Sequence, residues 1–321
     1  MTERIKADKD GARHIKKGGG VLCQPKYVKY AHIQSNSDKY PVGILCKAMG
    51  VSKSAYYRWV RTPISKRDLI HFELDEEIYG VFIAHQGRYG ARRIYEDLKD
   101  RGFKVTESKI SERMKLMGLI SKQAKRFIKT TDAQHNQYVR SNLLQQDFTA
   151  SKANEKWVTD ISYVPTDEGW MYLCVIIDLF SRMVVGWSMA DHMRAELSVN
   201  ALVMATFNRK MPKDVIVHSD KGSQYACKTF QEEIEKRKLI SSMSGKGCCY
   251  DNAACESFFG TLKVELCDDE RYKTIEQAKS SVFEYIESYY NRKRRHSTIN
   301  YMTPKQFEDT MKFNKKKSPS I

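Results

Sequence analysis

The sequence predicts a mixed α/β domain preceded by small all-helical modules. Three features carry that expectation. The hydrophobic period changes from helical to strand-like near Lys156, short punctuated helices fill residues 40–121, and the basic surplus is concentrated in the first half of the chain. At 321 residues there is room for two or three domains with cores that need no disulfide staple. No run approaches eighteen apolar residues, so neither a membrane span nor a secretory signal is expected, and the chain reads as soluble and intracellular.

Residues 1–37 hold a triple glycine and many lysines without a sustained period, which predicts a basic flexible arm. Residues 38–64 follow with "YPVGILCKAMGVSKSAYYRWVRTP". A short apolar helix stops at Gly50, Ser52 can cap a second helix, and Pro63 ends it, the punctuation of a helix-turn-helix. Residues 65–121 read as a second helical module of the same kind. Ile94 and Leu98 are four apart, Gly102 turns the chain, and Thr106 or Ser108 caps a further helix. Arg58, Arg61, Arg92 and Arg93 are expected at exposed positions of these modules, facing DNA. Residues 122–152 are polar and irregular and read as a linker.

From residue 153 the pattern becomes that of a sheet. "KWVTDISYVPT", "GWMYLCVIIDLFS" and "RMVVGWSMA" are β-rich, and the short connections between them predict an antiparallel meander. "AELSVNALVMATFNRK" then carries a helical stripe, and "DVIVHSD" returns as a strand, so the helix crosses over between strands. The domain is expected to run from 153 to 310, closing with helices, with a basic tail over 311–321.

Lys and Arg number 55 against 39 Asp and Glu, a net charge of +16. Residues 1–150 hold 29 basic and 16 acidic side chains, a surplus of 13, and the remainder holds 26 and 23, a surplus of 3. A polyanion fits such a field, nucleic acid before an anionic membrane. The eight cysteines form no C-x-x-C pair and are read as reduced thiols.

Three acids stand out. Asp160 lies within the first strand, Asp220 lies where the fourth ends in "HSDKGSQY", and Glu256 lies in "YDNAACESFFGTLKVE", where Asp251 or Asn252 can cap a helix. Phe258, Phe259, Leu262 and Leu266 form the buried stripe of that helix, whereas Glu256 and Lys263, seven apart, share another face. Three carboxylates without cationic partners repel, and bringing them together is sensible only around divalent cations. Hard oxygen donors suit Mg²⁺ or Mn²⁺, and a pair of ions suits in-line phosphoryl transfer.

On these motifs the chain resembles transposases of bacterial insertion sequences in the DDE, or retroviral-integrase, superfamily, and specifically the second-frame protein of the insertion-sequence-three group. "WVTDISY", "HSDKGSQY", the thirty-five residues between Asp220 and Glu256, and "YYNRKRRHSTINYMTPKQFE" carry the likeness over residues 38–310. It implies an RNase H-like core with a mixed five-stranded sheet, and a metal-binding catalytic triad of Asp160, Asp220 and Glu256. It implies, too, that Lys263 contacts end DNA, that strands are cut by hydrolysis and joined by attack of a 3'-hydroxyl, and that two Mg²⁺ or Mn²⁺ ions serve each site. The partners it implies are terminal inverted repeats and target DNA, a homo-oligomer of at least two chains, and an upstream first-frame protein, in the bacterial cytoplasm at the nucleoid. Two positions depart from the pattern: Gly245 stands where an arginine is expected, and Cys248 where a polar residue is expected. Residues 1–37 contain no leucine-zipper heptad of the kind the first-frame protein carries.

"RKRRHS" reads as a basic turn holding phosphate through Arg294 and Arg295. A rival reading takes Arg294, His296 and Tyr301 as the groups of a tyrosine recombinase. Beside it stand a DNA-binding protein with a dead transposase core, which would have lost its acids, and a plain RNase H-like nuclease, which would need no helical DNA-binding modules.

Overall fold

A computed structural model of the chain describes residues 26–61, 66–122, 140–245 and 252–317. The chain divides into two compact units, residues 1–80 and 81–321. In the first, α1 (Lys26–Ser35), α2 (Val42–Met49) and α3 (Lys53–Arg61) surround a small core of Tyr30, Ile33, Leu45, Cys46, Met49 and Tyr56. α2 stops where Gly50 adopts a left-handed φ of 66°, which lets the Val51 N–H reach the Cys46 carbonyl at 3.0 Å. Ser52 then starts α3, its Oγ accepting the Ala55 N–H at 3.1 Å.

The expected arm over 1–37 is corrected where it is described: Lys26–Ser35 is helical, and Tyr30 and Ile33 are buried. Two apolar residues three apart among lysines make too thin a stripe to read as a helix, yet they suffice once α2 and α3 supply the opposing surface. Residues 1–25 lie outside the described residues.

α4 (Lys66–Ala84) runs across the division at Gly80, so the later part of the expected second module belongs to the same unit as the sheet. α5 (Ala91–Asp100) buries Ile94 and Leu98, Gly102 turns the chain with φ 88°, and Thr106 caps α6 (Glu107–Leu116) by accepting the Lys109 N–H at 3.3 Å. Just after α4 the His85 ring stacks on Tyr89, centroids 3.6 Å apart, and burial lowers its pKa to about 4. A histidine depressed in the folded state stabilises fully above its unfolded pKa near 6.5, and that contribution is lost as pH falls toward 4. The melting temperature of His85→Gln should therefore change less than that of the parent chain between pH 7 and pH 4.5; equal changes in both would refute the assignment.

The sheet is built from β1 (Lys156–Thr166), β2 (Gly169–Asp178), β3 (Val184–Ala190), β4 (Ile216–Ser219) and β5 (Ile240–Met243), in the order β3-β2-β1-β4-β5. The first three form the expected antiparallel meander, and β4 and β5 add in parallel. α7 (Ala195–Asn208) makes the crossover, and α8 (Ser223–Ala226) and α9 (Lys228–Lys236) lie between β4 and β5. Trp157, Cys174, Ile176, Leu197, Ala201 and Phe230 belong to the core between sheet and helices. α7 packs tightly over Gly186 on β3, where a Cβ would run into the Ala201 carbonyl and Ala205.

The remaining helices are α10 (Ala253–Glu265), α11 (Ile275–Glu284), which continues as a π-helical turn over Tyr285–Tyr290, and α12 (Pro304–Lys317). α12 is held by Glu308, which is buried and accepts from Ser181 and Arg209, and Arg209 also pairs with buried Asp178 at 3.4 Å. The helix runs through residues 311–317, which corrects the expected tail, because its buried anchor lies a turn before the lysine-rich end. The expected linker is corrected over 140–152. Leu144 is buried, the Leu143 N–H donates to Ser242 Oγ at 2.9 Å, and Arg140 pairs with Glu235, so this polar stretch is fastened to the core by hydrogen bonds. Residues 123–139 lie outside the described residues. Among the described residues Cys46, Cys174, Cys227, Cys255 and Cys267 are free thiols, and no helix is long and apolar enough to cross a membrane.

Candidate active site

β1 has eleven residues and β4 has four. Their parallel pairing, Lys156 with Ile216, Trp157 with Val217 and Val158 with His218, keeps a constant offset of 60 residues. Continued two steps, that offset sets Asp220 at the level of Asp160, just where β4 has ended and β1 carries on. β4 is anchored by His218, fully buried, whose Nδ1 is 2.8 Å from Ser242 Oγ on β5. The turn after β4 is shaped around the carboxylate: the Gly222 N–H donates to Asp220 Oδ1 at 2.8 Å, and a Cβ on Gly222 would crowd that same oxygen. Gly222 therefore does more than turn the chain, since its bare backbone makes room for the acid.

Glu256 reaches the same corner by a different route. It is exposed in the first turn of α10, while Phe258, Phe259, Leu262 and Leu266 are buried as their spacing predicts. Asn252 occupies the cap position of α10, but its side chain does not cap the helix; it donates to the Thr159 carbonyl at 3.2 Å, the residue before Asp160. That bond ties the start of the glutamate's helix to the aspartate's strand. Asp251, the other expected cap, lies outside the described residues, as does Cys248.

Electrostatics register the convergence. The Asp160 carboxyl is pushed up to about 7, by burial first and then by the charges of Asp220 and Glu256, whereas the Ile161 N–H donating to Oδ1 at 2.8 Å and the Lys263 ammonium pull it back. Burial and neighbouring like charges thus favour the protonated form of Asp160, and a divalent ion bound there would favour the charged one. Among the described residues, no three His, Cys, Asp or Glu side chains stand close enough to cage a metal ion. The donor set is nonetheless all carboxylate oxygen, the chemistry that suits Mg²⁺ or Mn²⁺.

Lys263 lies two turns beyond Glu256, its Nζ 5.3 Å from the centroid of Tyr163 on β1. Arg58 and Arg61 are exposed in the last turn of α3. Arg92 is exposed, as expected, and pairs with Glu107 and Glu96; Arg93 is half-buried, turned toward Glu265 at 3.5 Å and lying over the Tyr89 ring.

Arg294 and Arg295 correct the expected phosphate-gripping turn. Arg294 is buried and gives Nε to both Glu265 oxygens, at 2.9 and 3.0 Å. Arg295 pairs with Asp97 and Asp100. Their acidic partners lie 29 residues or more away in sequence, so local composition showed only a basic run. The same finding removes the tyrosine-recombinase grouping, since Arg294 is committed to Glu265 and His296 is buried beside Tyr290. Sequence reasoning missed Asn252 and Glu265 as positioning residues, because neither differs in pattern from an ordinary helix cap or helix acid.

The mixed five-stranded sheet thus carries Asp160 partway along β1 and Asp220 just beyond the end of β4, with Glu256 on the later helix α10. Integrase core domain models match residues 150–249 and 256–311, and an HTH-like domain model matches residues 71–127. The chain is 41% identical over 284 residues to the transposase InsF for insertion sequence IS3A of Escherichia coli (strain K12), covering 88% of this chain and 99% of that protein. It is 40% identical over 265 residues to an uncharacterized 31 kDa protein of insertion element IS600 from Shigella sonnei, covering 83% and 97%. Among solved structures, the HTLV-2 integrase catalytic core domain in complex with magnesium is 17% identical, covers 50% of this chain and 99% of its own, and has a TM-score of 0.39. The chain belongs to the insertion-sequence transposase family that includes InsF of IS3, and it is a DDE-class transposase.

Proposed function

We propose that the chain cuts DNA at the ends of its insertion sequence and joins the freed 3'-hydroxyl to target DNA, using Asp160, Asp220 and Glu256 as the catalytic carboxylates. The observation that supports this most is the shared offset of β1 and β4, which sets the two aspartates level while Asn252 ties the glutamate's helix to the same strand. The three acids would hold Mg²⁺ or Mn²⁺, two ions per site, which when bound supply activation of the attacking oxygen and charge neutralisation at the leaving oxygen.

The chain's own part is positional. Gly222 fixes one Asp220 oxygen through its N–H, and the Ile161 N–H fixes one Asp160 oxygen, which orients both carboxylates. Lys263 adds a positive charge on the Glu256 face, suited to a phosphate of the end DNA, and Arg58 and Arg61 offer further phosphate contacts on the first unit. The partners are terminal inverted repeats and target DNA. Two ends must be brought together for joining, so at least two copies act on DNA, with the upstream first-frame protein as a further partner in the cytoplasm.

Strand transfer with an oligonucleotide carrying the element's terminal repeat should require Mg²⁺ or Mn²⁺, stop in chelator, and resume when the ion is restored. Transfer that persists in chelator would refute the carboxylate reading.

A further inference from the structure

The parallel pairing of β1 with β4 ends at Val158 and His218, two residues short of Asp160 and Asp220. Both aspartates therefore stand past that backbone ladder, where side-chain bonds bear on how they are held. Thr159 lies in the gap and reaches two separate segments. Its Oγ1 is 3.2 Å from the Tyr225 hydroxyl, and its carbonyl accepts the Asn252 amide at 3.2 Å. Tyr225 sits on α8, where its N–H donates to the Gly222 carbonyl at 2.9 Å, and the Gly222 N–H in turn donates to Asp220. Gln231 of α9 donates to the Tyr225 carbonyl at 2.8 Å, which fastens the far end of the same turn. Asn252 begins α10, four residues before Glu256. The hydroxyl of Thr159 thus leads to the segment of Asp220, its carbonyl to the segment of Glu256, and its own next residue is Asp160. The hydroxyl pair is buried, with Cys174 Sγ on β2 at 3.6 Å from the threonine and 3.7 Å from the tyrosine, so three polar groups close a ring inside the core. Valine and phenylalanine would fill the same space, so the hydroxyls add direction rather than volume.

We infer that Thr159 is a positioning residue for the reaction, holding the Asp220 turn through its hydroxyl and the start of the Glu256 helix through its carbonyl, both at the level of Asp160. The inference rests on the reading of the three acids given above. Groups that orient ion-binding side chains change ion affinity or activity by about 10–100-fold when removed, whereas a group that only fills the core changes stability.

The test uses the full chain with Thr159→Val, Thr159→Ser, Tyr225→Phe and Asn252→Ala, each with a melting curve. Mn²⁺ binding is read by calorimetry without DNA, beside strand transfer across a Mn²⁺ series. Thr159→Val keeps the branched shape and loses the hydroxyl. It should bind Mn²⁺ about tenfold more weakly and need about tenfold more ion for half-maximal transfer, and Thr159→Ser should keep the parent values. Tyr225→Phe should match Thr159→Val, and the double variant should fall no further, because both substitutions remove the same bond. Asn252→Ala releases the other segment, so its loss of ion affinity should add to that of Thr159→Val. Parental Mn²⁺ affinity in Thr159→Val, Tyr225→Phe or Asn252→Ala, with strand transfer by the parent chain intact, would overturn this inference alone, whatever the melting temperatures. Should Thr159→Val fail to fold, Tyr225→Phe carries the same comparison with the ring kept in the core. A parent chain that neither binds Mn²⁺ nor joins strands would sink the reading of the three acids as well.

Discussion

Asp220→Asn should abolish strand cleavage and joining while leaving binding to element ends nearly intact. The substitution keeps the size of the side chain and an oxygen able to accept the Gly222 N–H, so the turn after β4 survives. It removes the negative charge that, level with Asp160, makes this strand edge attractive to a divalent ion. A fall of at least about 10²–10³-fold in rate is expected, the scale on which losing one preorganised electrostatic group registers. Gel-shift affinity for the terminal repeat should change far less, because a carboxylate contributes nothing favourable to phosphate binding. Strand transfer within a few fold of the parent chain would remove Asp220 from the mechanism, and a matching loss of end binding would recast it as a folding residue.

Glu265→Ala is expected to produce the largest loss of stability. Glu265 is 4% exposed and Arg294 is 5% exposed, and they form a bidentate pair that also takes the Tyr285 hydroxyl. Removing one partner of a buried pair leaves the other charged and desolvated, at a cost of about 3–5 kcal/mol. For a unit of this size that corresponds to a fall in melting temperature of roughly 6–20 °C. Arg294→Met should cost less than Arg294→Ala, since it restores apolar packing against Tyr290 though it still strands the glutamate. If Arg294→Ala instead left the melting temperature unchanged and reduced the salt dependence of DNA binding, the phosphate-gripping reading of "RKRRHS" would be reinstated.

These two expectations mark where the sequence was legible. The placement of Asp220 after a strand was readable because strand, acid and glycine follow one another locally, and that of Glu256 off the core because the stripe of Phe258, Phe259 and Leu262 declares which helix face is buried. The meander was readable for the same reason, since short turns join neighbouring strands and each strand is rich in β-forming residues. β5 was not advertised: "ISSM" has four residues and two serines, and it is a strand because β4 offers it an edge. α1 was misread as an arm for a related reason, its burial being supplied by helices further along the chain. Arg294 and Arg295 were misplaced because a charge run looks alike whether it meets water, phosphate or distant carboxylates. Pairing across 177 residues, as between Arg88 and Glu265, leaves no local trace.

Helix α10 carries both ends of this logic. Glu256 in its first turn belongs to the proposed reaction centre, and Glu265 at its last residue is one of the points where the helical module over 81–122 is fastened to the rest of the unit. Nine residues of helix set them roughly 13 Å apart, and each residue advances the facing direction by about 100°. The interval therefore works as a fixed gauge. One residue gained or lost between positions 256 and 265 would turn the glutamate away from Asp160 or pull Glu265 out of its pair with Arg294, so this stretch should accept exchanges of side chain far more readily than any change of length.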